Sequence, residues 1–193
     1  MPERFSPHLI ERPHPVPARW DRLSDRELAW CLRSQQVIHH RPAIRLFALV
    51  SRLGDGVFWY ALMAVLLLVY GRAATPAVGR MLLASAVCLI LYKWLKARTT
   101  RSRPCARDRH IEPRAAPLDE YSFPSGHTLH AVSFTLIAVY YYPALGWLLL
   151  PFATLVALSR IVLGLHYPSD VLAGALLGAA LAALALQLSF IQV

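Results

Sequence analysis

The sequence predicts an all-α fold: a multi-pass membrane helical bundle of about five transmembrane helices, preceded by an N-terminal amphipathic helix. Three observations carry that expectation. Hydrophobic residues make up 56% of the 193-residue chain and charged residues only 16%, too few charges to cover the surface of a soluble domain of this size. Mean hydropathy is +0.43. The apolar residues also gather into runs that approach the roughly 20 residues a helix needs to cross a bilayer. Length favours a single folding unit. Residues 1–42 read as a polar tail with an interfacial helix, and 43–193 as the transmembrane domain.

Taken in order, residues 1 to about 20 hold five prolines and no apolar period, so they read as loop or tail. The first forty residues are too polar to hold the apolar region of a cleavable signal peptide. Over 23–40, Ser24 followed by Glu27 has the spacing of a capping box. Leu28, Cys31 and Leu32 fall on one helical stripe, which predicts a short amphipathic helix on the membrane surface. The first pass is expected over about 43–70, interrupted by SRLGDG at 51–56. Its clean part, VFWYALMAVLLLVY, is fourteen residues, about 21 Å as a helix, so the preceding segment must complete the crossing. Arg52 and Asp55 are then expected to face the bundle or the interface rather than lipid. Further passes are expected over about 76–95, 127–142, 145–163 and 169–190. The last is rich in Ala and Gly, and its GALLG permits close helix packing. Tyr140, Tyr141 and Tyr142 close the third pass as an interfacial aromatic belt would.

The net charge of +9 does not point to nucleic acid. The basic residues lie in the polar N-terminal region and one loop beside membrane spans, where such residues set topology or meet anionic headgroups. Cys31, Cys88 and Cys105 have no metal-type or CxxC spacing and read as packing thiols. His8, His14, His39, His40 and His110 read as surface. His130 reads as a polar residue packed in the bundle. Arg98, Arg101, Arg107, Arg109 and Arg114 read as a solvated or headgroup-facing surface.

Five passes bring the ends of the second and fourth, and the starts of the third and fifth, to one face. Three polar pieces converge there. Lys96 stands six residues before the pair Arg103-Pro104. Pro124-Ser125-Gly126-His127 opens the third pass. Ser159-Arg160, His166 and Asp170 join the fourth pass to the fifth. Lys96, Arg103 and Arg160 supply three cations, two of them planar forks suited to oxyanions. Ser125 and Gly126 precede a helix start, whose free N–H groups favour an anion. This set suits a phosphate-sized dianion or its transition state. Asp170, four residues after His166, would accept from one ring nitrogen and leave the other free as a nucleophile. His127 would protonate the leaving oxygen. The expected intermediate is a phosphohistidine. Carboxylates are too few for a magnesium site of the usual kind, so no metal and no cofactor is expected.

These pieces resemble the three signature motifs of the type 2 phosphatidic acid phosphatase superfamily, which includes lipid phosphatases and vanadium haloperoxidases. Every motif position is filled: Lys96, Arg103 and Pro104; Pro124, Ser125, Gly126 and His127; Ser159, Arg160, His166 and Asp170. The resemblance implies a helical bundle with its pocket at the membrane interface. It implies His166 as nucleophile, Asp170 as its partner and His127 as acid, with Lys96, Arg103, Ser125, Gly126 and Arg160 holding the phosphate. Outside the motifs it covers the second to fifth passes. The N-terminal region departs from the commoner six-span bacterial pattern.

A pocket between spans admits a headgroup while the tails stay in lipid. The expected partners are therefore the bilayer and a lipid phosphate or diphosphate of the undecaprenyl diphosphate, phosphatidylglycerophosphate or phosphatidate type. The alternative is a phosphotransferase passing the phosphoryl group to another lipid, such as lipid A. The expected location is the bacterial inner membrane. All of the twenty Lys and Arg except Arg72 and Arg80 fall on the motif face. The positive-inside rule would place that face in the cytoplasm, whereas relatives that recycle the polyprenyl carrier face the other way.

Overall fold

The structure, a computed structural model, describes residues 18–117 and 119–188. The expected polar tail lies almost wholly outside the described residues, as do His8 and His14. Among the described residues the chain is helical, with one isolated bridge between Ser102 and Tyr121.

Helix α1 spans Ala18–Val37. It begins more than a turn before the expected start, so Ser24 sits inside it and cannot cap it. Ser24 and Glu27 instead turn inward and are buried. The stripe of Leu28, Cys31 and Leu32 packs on Ile111, Tyr167, Cys105 and Ile161. The helix is amphipathic, as its sequence predicts, but its apolar side is taken up by the bundle. Gln35 donates to Glu112 O at 2.8 Å, and Arg114 donates to Ile38 O and Gln35 O. Arg107 pairs with Asp25 at 2.7 Å. Arg101, Arg107 and Arg114 thus bond back onto α1, against the expectation of a solvated surface; Arg98 and Arg109 are exposed as expected.

The SRLGDG interruption separates α2, Arg41–Leu53, from α3, Val57–Tyr70. Gly56 takes φ 124°, a conformation that excludes most side chains. A 3-10 turn, Gly71–Ala74, leads into α4, Thr75–Thr99, which ends at Thr100 in the left-handed region. The short α5, Pro104–Arg107, precedes an irregular stretch that reaches α6, Gly126–Tyr141. Another 3-10 turn, Pro143–Leu145, leads to α7, Gly146–Val162, and Pro168 opens α8, Pro168–Gln187. A proline suits a helix's first position because the N–H it lacks would be unpaired there.

Contacts at the two ends show that these helices run alternately. At one end Tyr70 stacks on Tyr142 at 4.5 Å, and Arg80 lies 5.6 Å over the Tyr141 ring. Arg80 also donates to Ala185 O and Leu188 O, tying the start of α4 to the end of α8. The tyrosines therefore sit together at the end away from the motifs. At the other end lie the starts of α3, α6 and α8 and the ends of α4 and α7. Among the described residues three segments are long and apolar enough to cross a membrane: Val57–Thr99, which includes the turn at Gly71–Ala74, then Pro143–Val162 and Pro168–Gln187. Helix α6 has sixteen residues, about 24 Å of rise, and is the most enclosed. Leu129, Ala131, Ile137 and Ala138 are fully buried, while Leu68, Ile90 and Trp147 point outward from neighbouring helices as lipid-facing residues would.

The GALLG glycines set the distance between α6 and α8. A Cβ on Gly174 would lie 2.6 Å from Ser125 O, and one on Gly178 would meet Leu129 O. Both obstacles are backbone, so only a shift of α8 would relieve them. Gly178→Ala is expected to destabilise the protein by about 1–3 kcal/mol, read as a lower thermal-unfolding midpoint in detergent. An unchanged midpoint would show that the helices tolerate a wider separation.

Candidate active site

The motif end of the bundle encloses a cavity of about 620 Å³. Lys96, Arg103, Gly126, His127, Arg160 and His166 line it, together with Asp55, Asp119 and His130. Trp59, Leu89 and Phe134 add apolar surface to its lining, beside Tyr60, Tyr92, Ser85 and Lys93. Ser125 and Asp170 stand one layer back, fully buried.

Lys96 comes from the last turn of α4, and the left-handed Thr100 stops the helix just beyond it. Its Nζ donates to Asp119 Oδ1 and Oδ2 at 2.6 and 2.7 Å and to Tyr121 O at 3.0 Å. Arg103 donates from Nη2 to Asp119 Oδ1 at 2.6 Å and from Nη1 to Leu165 O at 2.7 Å. Its Nη1 also lies 3.3 Å from His166 Nε2. Arg160, in the last turn of α7, donates from Nη1 to Ser51 Oγ at 2.5 Å. Its buried Nε has no hydrogen-bond partner. Ser51 lies in the last turn of α2, so it is this helix that brings the hydroxyl to Arg160, which the sequence reading did not foresee.

The break between α2 and α3 brings Asp55 to His127. His127 Nε2 lies 3.4 Å from Asp55 Oδ1, and that carboxylate is half exposed. His130 Nδ1–H donates to Gly126 O, 2.9 Å away, and the residue lines the cavity as well as packing in the bundle. Ser125 precedes α6, but its hydroxyl bonds Thr128 Oγ1 at 3.0 Å and its N–H bonds Asp170 O at 3.0 Å. Of the two, Gly126, next along, is the one that lines the cavity.

The turn between α7 and α8 is folded by Gly164 at φ 72° and by Arg160 O, which accepts from the N–H groups of Leu165 and His166. This seats His166 with Nε2 toward Arg103 and Nδ1 toward Asp170. Guanidinium is only a donor, so Nε2 accepts and the ring proton belongs on Nδ1. Asp170 Oδ2 is 3.6 Å from Nδ1, beyond hydrogen-bond length. Such contacts often tighten only when substrate binds. Asp170 has two closer partners: Oδ2 accepts from Tyr167 N–H at 2.8 Å, and Oδ1 accepts from Arg101 Nη1 at 2.6 Å. Burial, followed by the nearby Arg103, Arg160 and Lys96, pushes the His166 pKa well below its ordinary 6.5. On α1, burial and then Glu27 push the Cys31 thiol up to about 12, which leaves it unreactive. Cys31, Cys88 and Cys105 are all free thiols. His39, His40 and His110 are exposed, as expected.

Four residues in this arrangement escaped the sequence reading: Arg101, Asp119, Ser51 and Glu27. Each is far in sequence from the group it holds and belongs to no fixed spacing.

The family profile described as the PAP2 superfamily matches residues 77–192. Over 148 residues the chain is 32% identical to an undecaprenyl-diphosphatase of Sulfolobus acidocaldarius, covering 74% of this chain and 69% of that protein. A shorter match, 49% over 57 residues, is to the bacitracin transport permease protein BcrC of Bacillus licheniformis, and it spans only 28% of that relative's length. Among solved structures, a transmembrane PAP2 type phosphatidylglycerolphosphate phosphatase from Bacillus subtilis superposes with a TM-score of 0.66 at 26% identity. That match covers 86% of this chain and 85% of the other.

Proposed function

The chain belongs to the PAP2 superfamily, and from that premise we propose that it is a lipid phosphatase of a bacterial cell membrane. Its substrate would be a lipid phosphate or diphosphate monoester of the undecaprenyl diphosphate or phosphatidylglycerophosphate type. One observation carries this reading: His127, His166, Lys96, Arg103 and Arg160 line a single cavity together with the apolar side chains of Trp59, Leu89 and Phe134. The charged groups suit a phosphate headgroup and the apolar ones the start of a lipid tail.

In this reading His166 Nε2 attacks phosphorus as the bond to the lipid oxygen breaks. The leaving oxygen takes its electron pair and a proton from His127. Lys96, Arg103, Arg160 and the Gly126 N–H stabilise the charge on the equatorial oxygens. Asp170 stabilises the Nδ1 proton while Nε2 carries the phosphoryl group. His127, now neutral, takes a proton from water as its oxygen attacks phosphorus. The N–P bond returns its pair to Nε2, and inorganic phosphate departs.

Asp119 occupies the cations that this reading assigns to substrate, with its side chain 37% exposed. It must swing away for phosphate to bind. Asp119→Asn is expected to tighten competitive inhibition by inorganic phosphate about 5- to 10-fold, since a neutral amide competes less for Lys96 and Arg103. An unchanged inhibition constant would remove Asp119 from this role.

The low pKa of His166 has a definite sign. The nucleophile must be neutral, so its acidic limb in kcat/KM is expected below pH 6.5. The same shift acts on stability. Below pH 6.5 the unfolded chain binds a proton that the folded chain refuses, so this group's effect turns unfavourable as pH falls through that value. A profile of kcat/KM against pH, alongside unfolding midpoints, checks both.

The deciding assay is phosphate release in detergent from undecaprenyl diphosphate, phosphatidylglycerophosphate and phosphatidate side by side. Release from at least one is expected. Failure on all three, with transfer of label to an added acceptor lipid instead, would overturn the hydrolase reading.

A further inference from the structure

Arg101 is fully buried, as is Asp170, yet it does not line the cavity. Its guanidinium bridges two carboxylates. Nη1 donates to Asp170 Oδ1 at 2.6 Å and to Ser169 Oγ at 2.7 Å. Nη2 donates to Glu27 Oε2 at 2.6 Å and to Ser24 Oγ at 3.1 Å, and Nε donates to Ser24 Oγ at 3.2 Å. The guanidinium also stacks 4.1 Å over the Tyr167 ring. Glu27 does more than balance charge. Its Oε1 accepts from Ser169 N–H at 2.7 Å and its Oε2 accepts from the Ser169 hydroxyl at 2.8 Å. Helix α1 thereby grips the first turn of α8, the turn that carries Asp170.

We propose that Arg101, oriented by Glu27 and Ser24 of α1, is a positioning residue that fixes the Asp170 carboxylate against His166. The inference rests on the reading of His166 as nucleophile. A carboxylate held at one oxygen only can rotate about its Cβ–Cγ bond. With Oδ1 taken by Arg101 and Oδ2 by Tyr167 N–H, the plane is set, and Oδ2 faces His166 Nδ1. The groups around Asp170 are Glu27 and Cys31 from α1, Arg101 from the segment after α4, and His166, Tyr167 and Ser169 from the turn into α8. Arg101 is the cation among them, so Asp170 and Glu27 rely on it jointly. Such a network is costly when one member is removed, because the others remain buried. It also gives the N-terminal helix a part in catalysis with no contact between α1 and substrate.

The test uses the full chain in detergent, with Arg101→Lys, Arg101→Met and Glu27→Gln. Three quantities are read for each: kcat, KM, and the inhibition constant for inorganic phosphate. Lys96, Arg103 and Arg160 are untouched, so KM and phosphate inhibition should stay within about 3-fold of the unaltered protein. By the usual cost of disturbing a residue that orients a reacting group, kcat should fall about 100-fold in Arg101→Met and about 10-fold in Arg101→Lys. Lysine restores the charge but not the fork that spans both carboxylates. Glu27→Gln keeps an acceptor for Ser169 N–H and should lower kcat only about 3- to 5-fold. If Arg101→Met does not fold, Arg101→Lys and Glu27→Gln decide by the same measurements. An unchanged kcat in the folded Arg101 variants would overturn the inference. So would a parallel loss of kcat and phosphate affinity, the mark of a merely structural role. No phosphate release from the unaltered protein would overturn the phosphatase reading, and this inference with it.

Discussion

His166→Ala is expected to lower phosphate release about ten-thousand-fold or more, because it removes the atom that forms the covalent intermediate. No other group can stand in for it. His127 lies against Asp55 at the start of α6, and the third lining histidine, His130, is engaged through Nδ1 with Gly126 O. The loss should appear in kcat. Lys96, Arg103 and Arg160 remain in place, so inhibition by inorganic phosphate should persist. Acid-labile label from a phosphate-labelled substrate should mark the unaltered protein after rapid quenching and should be absent from the variant. Retention of label by the variant would relocate the nucleophile, and retained turnover would remove covalent catalysis through this residue.

His127→Ala is the second large effect, and its form differs. A general acid–base group contributes about 10²- to 10⁴-fold, so kcat should fall by that range. The two half-reactions should separate. A substrate with a good leaving group, such as an aryl phosphate, needs little protonation and should still phosphorylate His166. Hydrolysis of the phosphohistidine would then lack its base, so the variant should accumulate labelled protein that the unaltered protein turns over. Equal losses on lipid and aryl substrates, without accumulation, would mean that His127 binds phosphate rather than moving a proton.

Much of this molecule can be read from the chain alone. The helices fall close to the apolar runs: 76–95 lies within Thr75–Thr99, and 145–163 becomes Gly146–Val162. Local rules suffice there, because a run of apolar residues bounded by Pro and Gly leaves few other outcomes. The stripe of Leu28, Cys31 and Leu32 was legible for the same reason, though not what it packs against. The cavity-lining cations and histidines were legible because their spacings follow helix ends: Lys96 closes α4, His127 opens α6 and Arg160 closes α7. Ser24 shows where local reading misleads. It has capping spacing with Glu27, yet both residues serve a guanidinium more than seventy positions away.

The sequence by itself determined the helical membrane class, the order and approximate length of the helices, and which polar residues meet at one end. Those properties follow from hydrophobic runs and from short fixed spacings, which act within one helix or across one turn. Tertiary structure alone decided how each buried charge is satisfied. Arg101, which composition assigns to a solvated loop, becomes the fully enclosed partner of Asp170. Ser51 meets Arg160 across 109 positions, and Asp119 settles on Lys96 and Arg103. A charge removed from water must find partners wherever packing places them. The identity of those partners is a property of the assembled bundle, and no spacing along the chain records it.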